Sequence, residues 1–95
     1  MIKKNYSKSK KICRVTFRHE PEVAEKVSLL GDFNEWGGEE MKRRKDGSFS
    51  ITLSLDAGKE YNFRYLVDQK NWINDDNADE LRYNGFGSQN SVLRI

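Results

Sequence analysis

The feature that most constrains the fold of this chain is an alternation of apolar and polar residues in several short segments. In FSITLSL, residues 49–55, every second residue is apolar and those between are serine or threonine. The segments ICRVTFR, 12–18, and YNFRYLVD, 61–68, show largely the same period of two. This period is that of a β-strand with one buried and one solvent-exposed face. It predicts a sheet rather than a helix bundle.

Turn-forming residues separate these segments. The sequence KDGS, 45–48, lies between predicted strands at 41–44 and 49–55, and Asp-Gly in such a position is a strong signal for a β-hairpin. Further strands are predicted at 26–33, around Trp72 and at 91–95. About seven short strands at spacings of roughly 8–12 residues predict an all-β, immunoglobulin-like antiparallel β-sandwich. The 95 residues show no internal repeat or linker, so we expect one domain over residues 12–95.

Residues 1–11 differ in composition from the rest of the chain. They contain five lysines and no acidic residue, whereas the net charge of the whole chain is only +2. A basic segment of this kind is able to contact nucleic acid or an anionic membrane. The remaining sequence shows no basic pattern with interleaved aromatic residues to extend such a contact. We therefore expect a flexible, solvated N-terminal arm, with neither nucleic acid nor a membrane as partner.

The single cysteine bears on the cellular compartment. Cys13 has no partner for an internal disulfide and occupies an apolar position of an alternating segment, so we expect a buried, reduced thiol. No apolar segment follows the N-terminal lysines as in an export signal, and no run approaches the roughly 18 apolar residues of a membrane span. These features predict a cytoplasmic protein.

The sequence offers little for catalysis or metal binding. The only histidine, His19, lies at a predicted strand end, where we expect a surface position. Asp75, Asn77 and Asp79 match the first three ligand positions of a calcium-binding loop, but its sixth position holds glutamate where glycine is required. We expect a solvated loop there, no metal or other cofactor, and no enzyme activity.

Three aromatic residues lie in segments rich in polar residues and glycine. Trp36 lies in GDFNEWGG, Trp72 in KNWIN, and Phe86 between two glycines. Either the loop of Trp36 folds back and buries the indole, or the indole is exposed; likewise, either Trp72 or its neighbour faces the core. The polar residues around them include Arg64, Asn71, Asn74, Gln89 and Asn90. Exposed indoles stack on the C–H face of a sugar ring, and such polar groups hydrogen-bond its hydroxyls. The residues therefore favour the hypothesis of sugar binding.

Several motifs, taken in order, resemble the carbohydrate-binding modules of family 48. These motifs are G-D-F-N-x-W at 31–36, the Asp-Gly hairpin, Y-x-F-R-Y-x-V-D at 61–68 and G-x-x-N-S-V at 87–92. The family includes the glycogen-binding domain of the AMP-activated protein kinase β subunit and the early-set domains of isoamylases and branching enzymes. The resemblance covers residues 12–95 and is greatest to free-standing isoamylase early-set domain proteins. It implies an immunoglobulin-like early-set sandwich that binds α-1,4-linked glucan, such as glycogen or starch.

The resemblance also implies which residues form the site. The implied carbohydrate-binding residues are Trp36, Arg64, Trp72, Phe86, Ser88 and Asn90. The two tryptophans take the positions of stacking platforms, and Asn90 that of an asparagine that contacts hydroxyls. Arg64 stands in place of a lysine, Phe86 of a leucine and Ser88 of a threonine. These replacements retain chemical character but not shape, so the planar guanidinium of Arg64 is expected to reach a different hydroxyl.

A second function stays open at this point. In isoamylases the early-set domain mostly packs on the catalytic barrel, and many domains of the family bind no sugar. The last predicted strand runs to Ile95, so we expect any such enzyme to be a separate chain. The alternative is therefore a protein-interaction module that docks in trans on a glucan-metabolising enzyme or another subunit.

Overall fold

The computed structural model describes residues 1–21, 23–85 and 87–95. Within these residues the chain forms ten β-strands and one short 3₁₀ helix. The strands make two antiparallel sheets that pack as a sandwich. The predicted all-β antiparallel sandwich is confirmed, and its arrangement is compatible with an immunoglobulin-like fold. Among the described residues, no helix is long and apolar enough to cross a membrane.

Each sheet brings together strands that are distant in the sequence. The first sheet contains, in spatial order, β1 (Ile2–Tyr6), β2 (Ile12–His19), β6 (Phe49–Asp56) and β5 (Lys42–Arg43). The second contains β4 (Glu39–Glu40), β3 (Val27–Gly31), β7 (Glu60–Val67), β10 (Gln89–Arg94) and β9 (Glu80–Tyr83), and β8 (Asn71–Ile73) pairs with the C-terminal part of β7. β2 is joined to β6, and β7 to both β3 and β10, by long-range pairings.

The core lies between the two sheets, as the alternation predicts. Cys13, Val15 and Phe17 of β2 are fully buried, and so are Phe63 and Tyr65 of β7. The polar residues between them face outward on each strand. Because Cys13 is a buried free thiol, the prediction of a core cysteine is confirmed.

The hairpin predicted from Asp-Gly is present between β5 and β6. Gly47 has a φ of 88°, a conformation that glycine adopts without steric cost. Asp46 accepts hydrogen bonds from the backbone N and the hydroxyl of Ser48 at 2.9 and 2.6 Å. The turn therefore closes through both backbone and side-chain bonds.

The N-terminal segment forms a strand that the sequence did not predict. Ile2–Tyr6 pairs in register with β2, and Lys4 Nζ donates to Asp79 Oδ2 at 2.8 Å. The alternation fails to mark β1 because it is an edge strand with mostly exposed side chains. The division of the chain at residue 12 into arm and domain stays a prediction, but this part of the expected flexible arm is paired with the sheet.

Candidate functional site

The outward face of the second sheet carries one of the two tryptophans beside Arg64. In β7, Phe63 and Tyr65 face the core, so Asn62, Arg64 and Leu66 face outward. The register places Trp72 of β8 opposite Leu66, and the indole is 46% exposed. The strand therefore turns Trp72 toward solvent, which decides one of the alternatives left open by the sequence.

The loop after β3 holds Trp36 in a fixed conformation. A 3₁₀ helix over Asp32–Asn34 follows the strand, and Trp36 N donates to Gly31 O at 2.9 Å. Glu35 and Trp36 are both left-handed, with φ of 55° and 59°. Such a conformation costs about 1–3 kcal/mol for each non-glycine residue and persists only where the surroundings enforce it. The indole is half-buried, so neither extreme expected from the sequence, full burial or free exposure, describes it.

Asp32 supplies part of that enforcement. One carboxylate oxygen accepts a hydrogen bond from the indole Nε1 of Trp36 at 3.0 Å. The other accepts from the backbone N of Asn62 at 2.7 Å and from its side chain at 3.1 Å. Hydrogen bonds to a charged group are stronger than neutral ones. Asp32 therefore ties the tryptophan loop to the middle of the sheet.

The other residues of the G-D-F-N-x-W motif also have structural roles. A Cβ on Gly31 would lie 2.7 Å from Asn62 O and 2.8 Å from Phe63 Cβ, so a side chain does not fit there. Phe33 packs against Phe63, with ring centroids 6.4 Å apart. Asn34 accepts from Gly31 N at 3.0 Å and donates to Leu29 O at 2.9 Å. The motif thus builds a rigid turn that presents its tryptophan.

Arg64 brings the two tryptophans together. Its guanidinium carbon lies over both indoles, 5.8 Å from the ring centroid of Trp36 and 4.7 Å from that of Trp72. Both separations fall within the range of a cation–π interaction. One face of each indole is therefore turned toward the guanidinium. Residues that are far apart in the sequence meet at a single side chain.

Two polar atoms at this site lack a hydrogen-bond partner in the described part of the protein. Arg64 Nε and Asn90 Oδ1 are buried and make no hydrogen bond among the described residues. Buried polar groups in native proteins are nearly always hydrogen-bonded, so each exception requires an explanation. Because both atoms are buried, a ligand hydroxyl reaches them only if the side chains that cover them move.

An open groove of about 460 Å³ adjoins the guanidinium. It is lined by Asp32, Trp36, Asn62, Arg64, Arg82, Tyr83, Asn84 and Asn90. Arg82 is neutralised by Glu60 and Glu80, each at 2.9 Å. Hydrogen bonds from Arg82 and Arg94 lower the pKa of Glu60 to about 2, so this carboxylate stays ionised at neutral pH. The groove is thus polar but nearly balanced in charge, which suits an uncharged ligand.

The structure brings together four of the six residues that the sequence singled out. Trp36, Arg64 and Asn90 line the groove, and Trp72 contacts Arg64 from outside it. Ser88 lies next to the groove, where its hydroxyl accepts a hydrogen bond from Asn84 at 2.7 Å. Phe86 lies outside the described residues.

Two important residues of the groove were not predicted from the sequence. Asp32 and Asn62 line it, yet neither was singled out. Asp32 stands in the G-D-F-N-x-W motif, and Asn62 faces outward two residues before Arg64. The alternation of β7 could therefore have indicated Asn62. The role of Asp32 could not be read in this way, because it depends on hydrogen bonds to Trp36 and to Asn62 on another strand.

Asp75 and His19, for which the sequence predicted solvated positions, have structural contacts. Asp75 is buried, not solvated as predicted, and accepts a hydrogen bond from the Tyr65 hydroxyl at 2.6 Å. His19 is half-buried rather than on the surface, and it stacks on Tyr65 with ring centroids 5.1 Å apart. Burial lowers the pKa of His19, although the charge of Asp75 opposes the shift. Among the described residues, no group of three or more His, Cys, Asp or Glu side chains is arranged to hold a metal ion.

Comparison with protein families gives a match over nearly the whole chain. Residues 13–95 match the model of the glycogen recognition site of AMP-activated protein kinase. The chain belongs to this family. The resemblance predicted from the sequence motifs is thereby confirmed, and the family is one of carbohydrate-binding modules, which are generally non-catalytic.

Of two further comparisons, one finds no match and the other supports the fold alone. The sequence itself matches no curated protein. Among solved structures, the chain is similar to ferric enterobactin esterase from Salmonella typhimurium, with a TM-score of 0.78 and 12% identity. The match covers 99% of this chain and 34% of the esterase chain, so this protein spans about a third of that structure. At this identity, the similarity concerns the sandwich and not its activity.

Proposed function

We propose that this protein binds α-1,4-linked glucan on the outward face of the second sheet. The observation that carries the proposal is the contact of one guanidinium, that of Arg64, with both Trp36 and Trp72. It supports a single aromatic site composed of residues from separate parts of the chain. The family match supports a carbohydrate ligand of the glycogen type.

The chemistry of the site fits neighbouring glucose units. The C–H face of a pyranose packs on the free face of an indole, and burial of about 100 Å² of apolar area contributes roughly 2–3 kcal/mol. Two such contacts, less the cost of association, leave an affinity in the micromolar to millimolar range. Arg64 and Asn90 line the groove, and their side chains supply the hydrogen bonds to sugar hydroxyls. Binding therefore combines stacking with a few hydrogen bonds.

The individual residues take different roles in this proposal. Trp36 and Trp72 are the stacking platforms, and the amide of Asn90 hydrogen-bonds a hydroxyl. Arg64 both donates to a hydroxyl and positions the two indoles, a role that a lysine at this place fills less well because it lacks a planar cation. Ser88 acts through Asn84, and Phe86 stays a predicted contact.

The test is a titration with defined oligosaccharides. Maltoheptaose and β-cyclodextrin are expected to shift both indole N–H resonances and to change tryptophan fluorescence, while cellohexaose, which has β-1,4 linkages, is not. Trp72→Ala is expected to weaken binding at least about tenfold by removing one stacking contact. Its melting temperature should change little, since the indole is 46% exposed.

A matched control separates loss of the site from loss of an exposed ring. Tyr6 is 42% exposed and lies on the first sheet, so Tyr6→Ala is expected to leave the affinity for maltoheptaose unchanged. If maltoheptaose at millimolar concentration moves neither indole resonance, the proposal is wrong. Retention of the wild-type chain on amylose resin, and its loss for Trp72→Ala, would provide an independent check.

Three narrower expectations remain predictions. They are the relation to isoamylase early-set domains, docking in trans on a glucan-metabolising enzyme, and a cytoplasmic location. None of them follows from the geometry of the groove. Co-purification of a glucan-metabolising enzyme with a chain that fails to bind amylose resin would favour docking over sugar binding.

A further inference from the structure

The outward face of the first sheet is strongly basic. Cys13, Val15 and Phe17 point into the core, so the residues that alternate with them on β2 point outward. The pairing register adds the outward residues of the neighbouring strands. We define the basic face as Lys3, Asn5, Arg14, Thr16, Arg18, Lys42, Ser50, Thr52 and Ser54, together with Arg44 and Lys45, which follow β5. The same register places Asp56 on the outward side at the end of β6, where it pairs with Lys59 at 3.7 Å.

Most of the positive charge on this face has no carboxylate partner within the described part of the chain. Arg18 pairs with Asp46 at 2.6 Å and with Glu20 at 3.0 Å. The other cations of the basic face have no carboxylate partner among the described residues; these are Lys3, Arg14, Lys42, Arg44 and Lys45. Because the whole chain has a net charge of only +2, this local excess is a property of one surface.

Hydroxyl groups lie among these cations. Thr16 and Thr52 are hydrogen-bonded across β2 and β6 at 2.9 Å, and Arg44 Nε donates to Ser50 Oγ at 2.6 Å. A groove of about 490 Å³ runs over this part of the sheet and is lined by Met1, Lys3, Thr16, Arg18, Arg44, Lys45, Asp46, Ser48 and Ser50. Arg18 Nε is buried beside it without a hydrogen-bond partner in the described part of the chain. The face thus offers both cations and neutral donors to an anionic partner.

We propose that the basic face docks an acidic, extended segment of a partner protein. A partner complementary to this face must be negatively charged, and its acidic side chains must lie close together. Outward residues of one strand recur at about 6.6–6.8 Å and neighbouring strands lie about 4.8 Å apart, so a strand with alternating Asp or Glu residues matches this spacing. Carboxylates bind guanidinium groups in planar pairs and accept hydrogen bonds from hydroxyls.

Single-stranded nucleic acid is the other polyanion to consider, and the face fits it less well. Proteins bind single strands with aromatic side chains on which the bases stack. The basic face contains no aromatic residue, and Ile12 is the apolar residue beside it that faces outward. The basic face lies on the sheet opposite the tryptophans, so this proposal does not depend on sugar binding.

The test measures binding of a fluorescein-labelled 15-residue oligoglutamate peptide by anisotropy at low salt. The double variant Arg14→Gln/Lys42→Gln removes two unpaired cations of the basic face. Lys26→Gln/Lys70→Gln removes the same charge from residues outside the basic face. Amide spectra of both variants that match the wild-type spectrum confirm that they fold. Exposed ion pairs are weak, so the first variant is expected to bind between about twofold and thirtyfold more weakly than wild type.

The expected pattern is a loss confined to the basic-face variant, with amide shifts in β2 and β6 on titration of the wild-type chain. An equal loss in both variants would overturn the proposal, because binding would then follow net charge alone. Absence of binding at low salt would also overturn it. Tighter binding of an oligothymidylate with equal charge would overturn it in favour of a nucleic-acid site.

Discussion

Replacement of Arg64 by methionine is the most informative perturbation of the site. Methionine retains much of the aliphatic length and removes the guanidinium that contacts Trp36 and Trp72 at 5.8 and 4.7 Å. Each exposed or partly exposed cation–π contact contributes about 0.5–1 kcal/mol, so two contacts contribute roughly 1–2 kcal/mol. If the guanidinium positions the indoles for the ligand, Arg64→Met should weaken maltoheptaose binding by about 5- to 30-fold.

Two assays separate positioning from direct contact. Isothermal titration gives the affinity for maltoheptaose, and near-UV circular dichroism of the unbound protein reports the order of the indoles. Arg64→Met is expected to reduce both. Arg64→Lys restores a charged donor without the planar cation, so it should recover hydrogen bonding to the sugar but only part of the indole signal. Arg14→Met, on the basic face, is the matched control and should change neither.

One result would refute this reasoning. The guanidinium covers one face of each indole, and the proposal requires the sugar to use the other. Tighter maltoheptaose binding by Arg64→Met would mean that Arg64 occupies the faces that the sugar needs. Unchanged affinity together with an unchanged indole signal would mean that the aromatic site stands without the arginine.

Three further predictions concern stability and are checked by thermal unfolding. Gly31→Ala should destabilise the fold by about 1–3 kcal/mol, as overpacking does, because its Cβ would lie within 2.8 Å of three neighbouring atoms. A melting temperature equal to that of the wild type would contradict this. Glu35→Gly should stabilise the fold by roughly 0.5–1 kcal/mol, because glycine adopts the φ of 55° without strain; a lower melting temperature would mean that the turn is not strained. Bonds from Arg82 and Arg94 lower the pKa of Glu60 from 4.5 to about 2 on folding, so the stability it adds is complete above pH 4.5 and is lost as the pH falls toward 2. Glu60→Gln should therefore reduce the fall in melting temperature between those pH values, while Glu80, whose pKa the same arginines lower, retains part of it. An unaltered pH profile would exclude the contribution of Glu60.

The strands that the sequence failed to predict all lie at sheet edges. β1 ends the first sheet, and β4 and β9 are the two ends of the second. An edge strand buries little on either face and its pairing is set by one neighbour, so apolar alternation is weak or absent there. The central strands β2, β6 and β7 were predicted because their inner faces must be apolar. β5 is also an edge strand, but it was predicted because the Asp-Gly turn of a hairpin follows it.

The sequence predicted the side chains of the site better than its scaffold. Alternation showed that either Trp72 or its neighbour faces outward, and the pairing of β8 with β7 settles that it is Trp72. The fixed turn at Trp36 does not, because GDFNEWGG has the composition of a flexible loop. What makes the turn rigid is the carboxylate of Asp32, which reaches Asn62 on another strand. Contacts of this kind depend on the assembled sheet, so local sequence patterns do not reveal them.

The placement of the indole site across β3, β7, β8 and β10 has a consequence for how the protein matures. Both tryptophans are synthesised before the last strand, β10. That strand carries Asn90 and pairs with β7, the strand that carries Arg64. Folding of sheets with such distant pairings is slow compared with that of helical proteins. A chain interrupted before β10, during translation or by proteolysis, would carry both indoles without the surface that aligns them, so only a finished chain would be competent.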